Sequence, residues 1–416
     1  MIELTLANRV LVQVIDNDIN FKKSLKNVLN VETRKYSAIV SALAGCELRH
    51  HLLFEKLLKS FDVELTNEEQ HLVSLGLANA YFIKKLPNEK VIEYVKDCLK
   101  DKFVKKIEDA FFFDGSISDI LGLDKNTLDY VSIRFNTPSW LIQMWNKHFG
   151  VSNSFKILKA NTQPGKIYVR ANPFVDKHPS LFDTNMFEPT DVQDVYLYKG
   201  NQPFKKTEAY LSNCVFVINK EIVKLFDKYL DPMTNEYCMY SYSDDSLVEE
   251  IIARSKKEKG IYLAVPDYFA RPKIFGRIKS KELRNISMFS YKDKFSLQAN
   301  ISRKQELIIV NPISSSFDKA RMYPDYLLHF KQESMDQILK AQRNALEELK
   351  EYLVHSGMFI YIVDTMNKKE GTLLIRSFLE AHKDMELVEE KQYLAGDESD
   401  CGMYYAVMKM KINEND

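Results

Sequence analysis

From Lys166 onward the chain alternates short β-rich runs with helical patterns, and this alternation constrains its fold more than any other feature. KIYVRAN and DVYLYKG come first, followed by CVFVIN, a helix, YCMYSY, a helix, GIYLAV, a mixed segment, ELIIVNP, a long helix and GMFIYIV. Strands separated by helical stretches are joined by crossovers, which lays them parallel in one sheet with helices on its faces. The long helix is expected over 333–355, with Ile338, Ala345, Leu346, Leu349 and Leu353 as its buried stripe and Gly357 as its stop. MYYAVMKMK, from Met403, is expected as a strand at the sheet edge.

The first stretch reads as helix throughout. Thr66 and Glu69 have capping-box spacing, and Leu72, Leu75, Leu77, Ala78 and Phe82 follow as an apolar stripe. A second helix starts near Pro87 with Val91, Tyr94, Val95 and Cys98 on one face, and Tyr36, Ile39, Val40 and Leu43 repeat the spacing upstream. An all-α bundle to about residue 113 follows. Beyond it, Thr137 is expected to cap a short helix that begins at Pro138 and ends before Gly150. The expected fold class is α/β, divided into an all-α region at 1–125, a small α/β linker module at 126–205 and a larger α/β domain at 206–416.

Charge gives no global pull toward a polyanion, because Lys+Arg and Asp+Glu both number 58. The basic residues concentrate locally, with Lys256, Lys257, Lys259, Arg271, Lys273, Arg277, Lys279, Lys281 and Arg284 set against only Glu258, Asp267 and Glu282. This segment is the expected RNA contact. The 416 residues contain no apolar run of the ~20 residues needed to cross a bilayer, and no signal peptide opens the chain, so a cytoplasmic monomer without a membrane partner is expected. Cys46, Cys98, Cys214, Cys238 and Cys401 are scattered and are read as reduced core thiols. His50 and His51 near Glu55 do not make a metal site. Trp140 and Trp145 are read as packing anchors, and Ser314, Ser315 and Ser316 as structural.

RFNTPSWLIQMWNKHFG followed by LKANTQPGKIYVRAN is similar to the linker module of the NusB-domain ribosomal RNA cytosine-C5 methyltransferases. Pro138, Ser139, Trp140 and Leu141 stand in its Pro-x-Trp-Leu helix, and Arg170, Ala171 and Asn172 in its Arg-x-Asn strand. FVINKEIVKLFDKYLDP, ARMYPDYLLHF with Gln342, and SDCGMYYAVMKMK resemble later segments of that family in order. The resemblance implies a NusB-like helical domain and a Rossmann-like class I methyltransferase sheet. It also implies S-adenosylmethionine as cofactor and ribosomal RNA as partner.

The family's reaction needs one thiolate to attack C6 of cytosine and a second thiol to assist release. Aligned on Tyr361 and Glu370, the nucleophile position holds Asp364; aligned on Pro312, the second cysteine position holds Ile313 and the family's aspartate position holds Val310. Neither can do the work of a thiol, so no catalytic residue is assigned. The Gly-rich cofactor turn is replaced by YCMYSYSDDSL, where Tyr240 and Tyr242 would crowd a nucleoside. The ribose-binding acid falls on Pro266, beside Asp267. The candidate cofactor residues are therefore Asp244, Asp245 and Asp267. The candidate RNA-binding residues are Arg170, Asn172, Lys256, Lys257, Arg271, Lys273, Arg277 and Lys279, with Arg170 equally suited to pairing with a carboxylate. The expected function is ribosomal RNA binding in small-subunit assembly by a catalytically inactive relative of these enzymes. An active methyltransferase with a rebuilt site, and a protein-interaction or antitermination module acting through the helical domain, stay open beside it.

Overall fold

The computed structural model describes the chain except residues 174, 176–184, 231–236, 242–244, 255–259, 267–283, 398–399 and 413–416. It divides into two compact units: Met1–Gln163 with Lys319–Lys331, and Pro164–Asp318 with Gln332–Asp416.

The helical unit is organised around the Asn67–Ala78 helix, every residue of which from His71 to Ala78 is buried. Its start is fixed by a complete capping box: Thr66 Oγ1 accepts from the Glu69 amide at 3.3 Å, and Glu69 accepts from the Thr66 amide at 2.8 Å. Thr66→Ala should lower the unit's stability by about 1 kcal/mol, read as a shift in its urea midpoint with an unchanged slope. Ile2–Leu11, Ser37–Arg49 and Asn88–Leu99 contribute Leu4, Val40, Leu43, Val91 and Val95 to the same core.

Two expected core residues face outward. Asn88–Leu99 buries positions 91, 95 and 99, which turns Cys98 to solvent, so not every cysteine is a core thiol. Phe82 is 40% exposed and stacks on His50 at 4.1 Å, because the helix changes to a π-turn over Asn79–Ile83 and its stripe loses register. Thr137 does not cap: its hydroxyl donates back to Phe135 O, and Ser139–Phe149 starts after Pro138 without a side-chain cap. Gly150, at φ +82°, joins that helix to a second, Val151–Asn161, which sequence reasoning missed. Trp145 is fully buried, and Trp140 stacks on Phe330.

The second unit holds two sheets. In the smaller, β1 (Tyr168–Ala171), β2 (Phe187–Pro189), β3 (Val195–Tyr198) and β4 (Val215–Val217) lie antiparallel in the order β2-β3-β1-β4. CVFVIN, expected as the first strand of the parallel sheet, is β4 of this one. Its Val217 is 41% exposed, whereas strands of a parallel sheet are covered on both faces.

The larger sheet contains β5 (Tyr237–Ser241), β6 (Ile261–Val265), β7 (Ile286–Ser290), β8 (Gln305–Asn311), β9 (Leu353–Val363), β10 (Met385–Tyr393) and β11 (Met403–Met410). Their order is β10-β11-β9-β8-β5-β6-β7, parallel from β9 to β7, with β11 antiparallel to both neighbours. The mixed segment thus supplies a fifth parallel strand, β7. β11 is interior rather than at the edge; it is apolar and buried until Lys409, while β10 carries Glu386, Glu389, Glu390 and Lys391 and takes the edge, where charge discourages further pairing. The long helix covers Ser334–Lys350 and stops short of 355, because β9 already pairs Leu353 with Gln305. Gly357 lies inside β9, at an irregularity where an added Cβ would sit 2.8 Å from Val354 O.

Met239, Leu263, Ile309 and Ile360 pack on one face of this sheet, and Cys238, Tyr240, Val310 and Phe359 on the other. The chain is thus a helical N-terminal region followed by an α/β region with a mostly parallel, Rossmann-like sheet. Among the described residues no helix is long and apolar enough to cross a membrane.

Candidate functional site

In an open parallel sheet the ligand crevice lies beyond the carboxyl ends of the strands, where the strand order reverses. Here β5 pairs with β6 on one side and β8 on the other, so the crevice belongs to the loops that follow β5, β6, β8 and β9. The loops after β8 and β9 are the described part.

A fully buried carboxylate, Glu370, ties these two loops together. Its Oε1 accepts from Ser315 Oγ at 2.6 Å, Thr365 Oγ1 at 2.7 Å and Asn367 Nδ2 at 3.2 Å. Its Oε2 accepts from the Ser315 amide at 2.8 Å and Gln342 Nε2 at 3.1 Å. All five donors are neutral groups, and dispersing the charge over them makes burial tolerable without a cation. Tyr361 Oη donates to Glu370 O at 2.9 Å, and burial holds its phenol well above the ordinary range. Gln342 also donates to Ile313 O at 2.9 Å, and Ser314 Oγ to Asp364 O at 3.1 Å.

The loops carrying Ile313 and Asp364 are therefore adjacent, as a pair of cooperating thiols would require. The side chains present are a branched hydrocarbon and a carboxylate. Ser315 and Ser316 are buried and Ser314 is half-buried, all within this hydrogen-bonded knot. Asn311, at the end of β8, donates to Ile362 O at 3.0 Å. Tyr240 is packed in the core edge-on to Tyr291, with ring centroids 4.7 Å apart, so its ring is not available to crowd a ligand. Burial pushes the Cys238 thiol up to about 12, far from a nucleophile's range.

The other sequence-derived candidates divide sharply. Asp244, Asp267, Lys256, Lys257, Arg271, Lys273, Arg277 and Lys279 lie outside the described residues, as does the side chain of Asp245. Asn172 is buried, donating its side-chain amide to Asn213 O at 2.8 Å. Arg170 pairs with a carboxylate: its Nε lies 2.8 Å from Glu250 Oε2, and its Nη1 donates to Gln193 O at 3.1 Å. Glu250, fully buried on the helix Asp245–Arg254, also accepts from Arg254 Nε at 2.7 Å, while Arg254 reaches Asp227 at 2.7 Å. Burial raises the Glu250 carboxyl, and the two guanidiniums oppose that rise. Sequence reasoning missed Glu250, and it used Glu370 only as an alignment marker. Among the described residues no group of three or more His, Cys, Asp or Glu is placed to hold a metal ion.

No family model matches the chain. It is 21% identical over 402 residues to the probable ribosomal RNA small subunit methyltransferase B of Bacillus subtilis (strain 168), a match covering 92% of this chain and 89% of that one. Among solved structures, PH0851 superposes with a TM-score of 0.72 at 15% identity, covering 97% of this chain and 98% of that one. A methyltransferase homolog protein from Pyrococcus horikoshii gives 0.57 at 13% identity, over 70% and 100% of the two chains. NSun6 from the same organism gives 0.56 at 9%, over 66% and 99%. The chain is thus similar along nearly its whole length to a probable ribosomal RNA small subunit methyltransferase, and it shares its fold with solved methyltransferase homologues.

Proposed function

We propose that this protein binds ribosomal RNA during small-subunit assembly in the cytoplasm and does not transfer a methyl group. The observation that supports the reading is that the loops carrying Ile313 and Asp364, the residues aligned with the family's two thiols, are held together by the Glu370 knot. Isoleucine cannot move a proton, and a carboxylate is a poor nucleophile toward an aromatic ring carbon. Residues 1–125 act in this reading as a NusB-like domain, and the basic segment from 254 to 284 meets the RNA backbone.

In this reading S-adenosylmethionine is not held as the family holds it. Pro266, beside Asp267, follows β6 at the family's ribose-acid position, and the turn after β5 carries no glycine. No step is therefore routed through that cofactor.

Isothermal titration of the purified chain with S-adenosylmethionine and its demethylated product should give no detectable heat of binding. Filter retention of small-subunit ribosomal RNA should fall steeply as salt is raised. Micromolar cofactor binding, or a site-specific methyl mark that disappears in Asp364→Ala, would overturn the inactive reading and restore the enzyme. Absence of RNA retention, with partner proteins captured by the helical region, would favour an antitermination-type module instead.

A further inference from the structure

The segment Lys319–Lys331, between β8 and the Ser334–Lys350 helix in sequence, belongs to the helical unit. Four residues seat it there. Arg321 Nε donates to Gln163 O at 3.3 Å, and Phe330 stacks on Trp140 with centroids 6.3 Å apart. Asp325, 1% exposed, accepts from the Phe21 amide at 2.8 Å. His329 lies between two carboxylates, with Nδ1 2.5 Å from Asp18 Oδ1 and Nε2 3.5 Å from Asp325 Oδ2.

We propose that Lys319–Lys331 is a latch on the helical unit whose closure requires a proton on His329. A neutral imidazole has one N–H and one lone pair, so between two carboxylates it can satisfy one and must present its lone pair to the other. The doubly protonated ring donates Nδ1–H to Asp18, turns a charged Nε2–H rather than a lone pair toward Asp325, and neutralises one of the two negative charges. The charged groups facing the ring are Asp325, on its own short helix Tyr326–His329, and Asp18, in the loop before Phe21–Val28.

The electrostatics agree with this geometry. Asp325, and then Asp18, hold the His329 imidazole above its ordinary value of 6.5 against the opposing effect of burial. Burial pushes the Asp325 carboxyl up, but His329 and the Phe21 amide outweigh it and hold it below 3.8. A raised base stabilises the folded form fully below its unfolded value and loses that contribution as pH rises through its folded value. A lowered acid does the opposite, losing its contribution only as pH falls through its depressed value. The latch is therefore closed in mild acid and opens on the alkaline side of 6.5.

The full-length chain has two tryptophans, so Trp145→Phe leaves Trp140, stacked on Phe330, as the sole reporter. Its emission should show a one-proton transition centred above pH 6.5 that vanishes when His329→Asn is added and moves to lower pH in Asp18→Asn. Asparagine suits this last position, where the backbone has φ +55°. In the chain with both tryptophans intact, tryptic cleavage at Lys319, Arg321 and Lys331, normalised to an unfolded reference, should rise several-fold from pH 7 to 9. In His329→Asn it should already be high at pH 7 and change little. A pH-independent emission with pH-independent cleavage, or a transition that survives His329→Asn, would overturn the latch.

Discussion

Glu370→Ala is expected to destabilise the α/β unit by about 3–5 kcal/mol, read as a drop in its transition in differential scanning calorimetry of the full chain. Removing the carboxylate leaves the Ser315 amide, the Asn367 amide and two hydroxyls without this acceptor in a buried site, and leaves Gln342 with Ile313 O alone. Ser315 and Thr365 can turn their hydroxyls toward each other, since their oxygens are already 3.2 Å apart. The three N–H donors have no such freedom. Glu370→Gln should for that reason cost only about 1–2 kcal/mol: its new NH₂ can face the two hydroxyls, which reverse to accept, and only Asn367 loses its acceptor. Equal losses for Ala and Gln, or an Ala variant within about 1 kcal/mol of the parent, would sink the account of the knot.

Arg170→Ala is expected to cost about 3 kcal/mol near pH 7, because it leaves the buried Glu250 with Arg254 as its remaining guanidinium partner. The sign of the pH dependence follows from the raised Glu250 carboxyl. A group whose folded value is raised contributes its stability below the unfolded value and loses it as pH climbs through the folded one. Without Arg170 the folded value rises further, so the variant's deficit should grow with pH above the ordinary glutamate range and shrink as Glu250 takes up its proton. Urea unfolding at several pH values measures this directly. The Glu250→Gln background closes a double-mutant cycle, in which the cost of Arg170→Ala should fall to roughly 1 kcal/mol or less if the pair is the cause. A pH-independent deficit would locate the effect in lost packing of the Arg170 stem instead.

Arg170 illustrates how far the sequence could be read. Its Arg-x-Asn context suggested two partners, a phosphate or a carboxylate, and spacing alone could not choose because Glu250 lies eighty positions downstream. The alternation of strands and helices was legible because period 2 and period 3.6 are local properties. Which strand stood at the edge was not. β11 and β10 differ in where their charges fall, a comparison that becomes meaningful only once the two are known to be neighbours. The same limit hid the role of Glu370. Its donors Ser315 and Gln342 are 55 and 28 residues away, and an isolated Glu in KKEG reads as a solvated loop charge. Sequence could only align Ile313 and Asp364 by their flanking residues, whereas the adjacency of their loops is a tertiary fact.

The presence of Lys319–Lys331 in the helical unit also bears on how the chain matures on the ribosome. The amide of Phe21 waits for a carboxylate 304 positions later, and Asp18 for an imidazole 311 positions later. The first 163 residues emerge and collapse well before those partners are synthesised, so the nascent bundle lacks the Phe330 ring on Trp140 until the chain has passed residue 330. Closing such a long loop carries an entropic cost that only late contacts offset. A chain terminated between residues 163 and 319 is thus an incomplete helical bundle as well as a shortened sheet, and premature stop codons in that interval should yield products that chaperones retain.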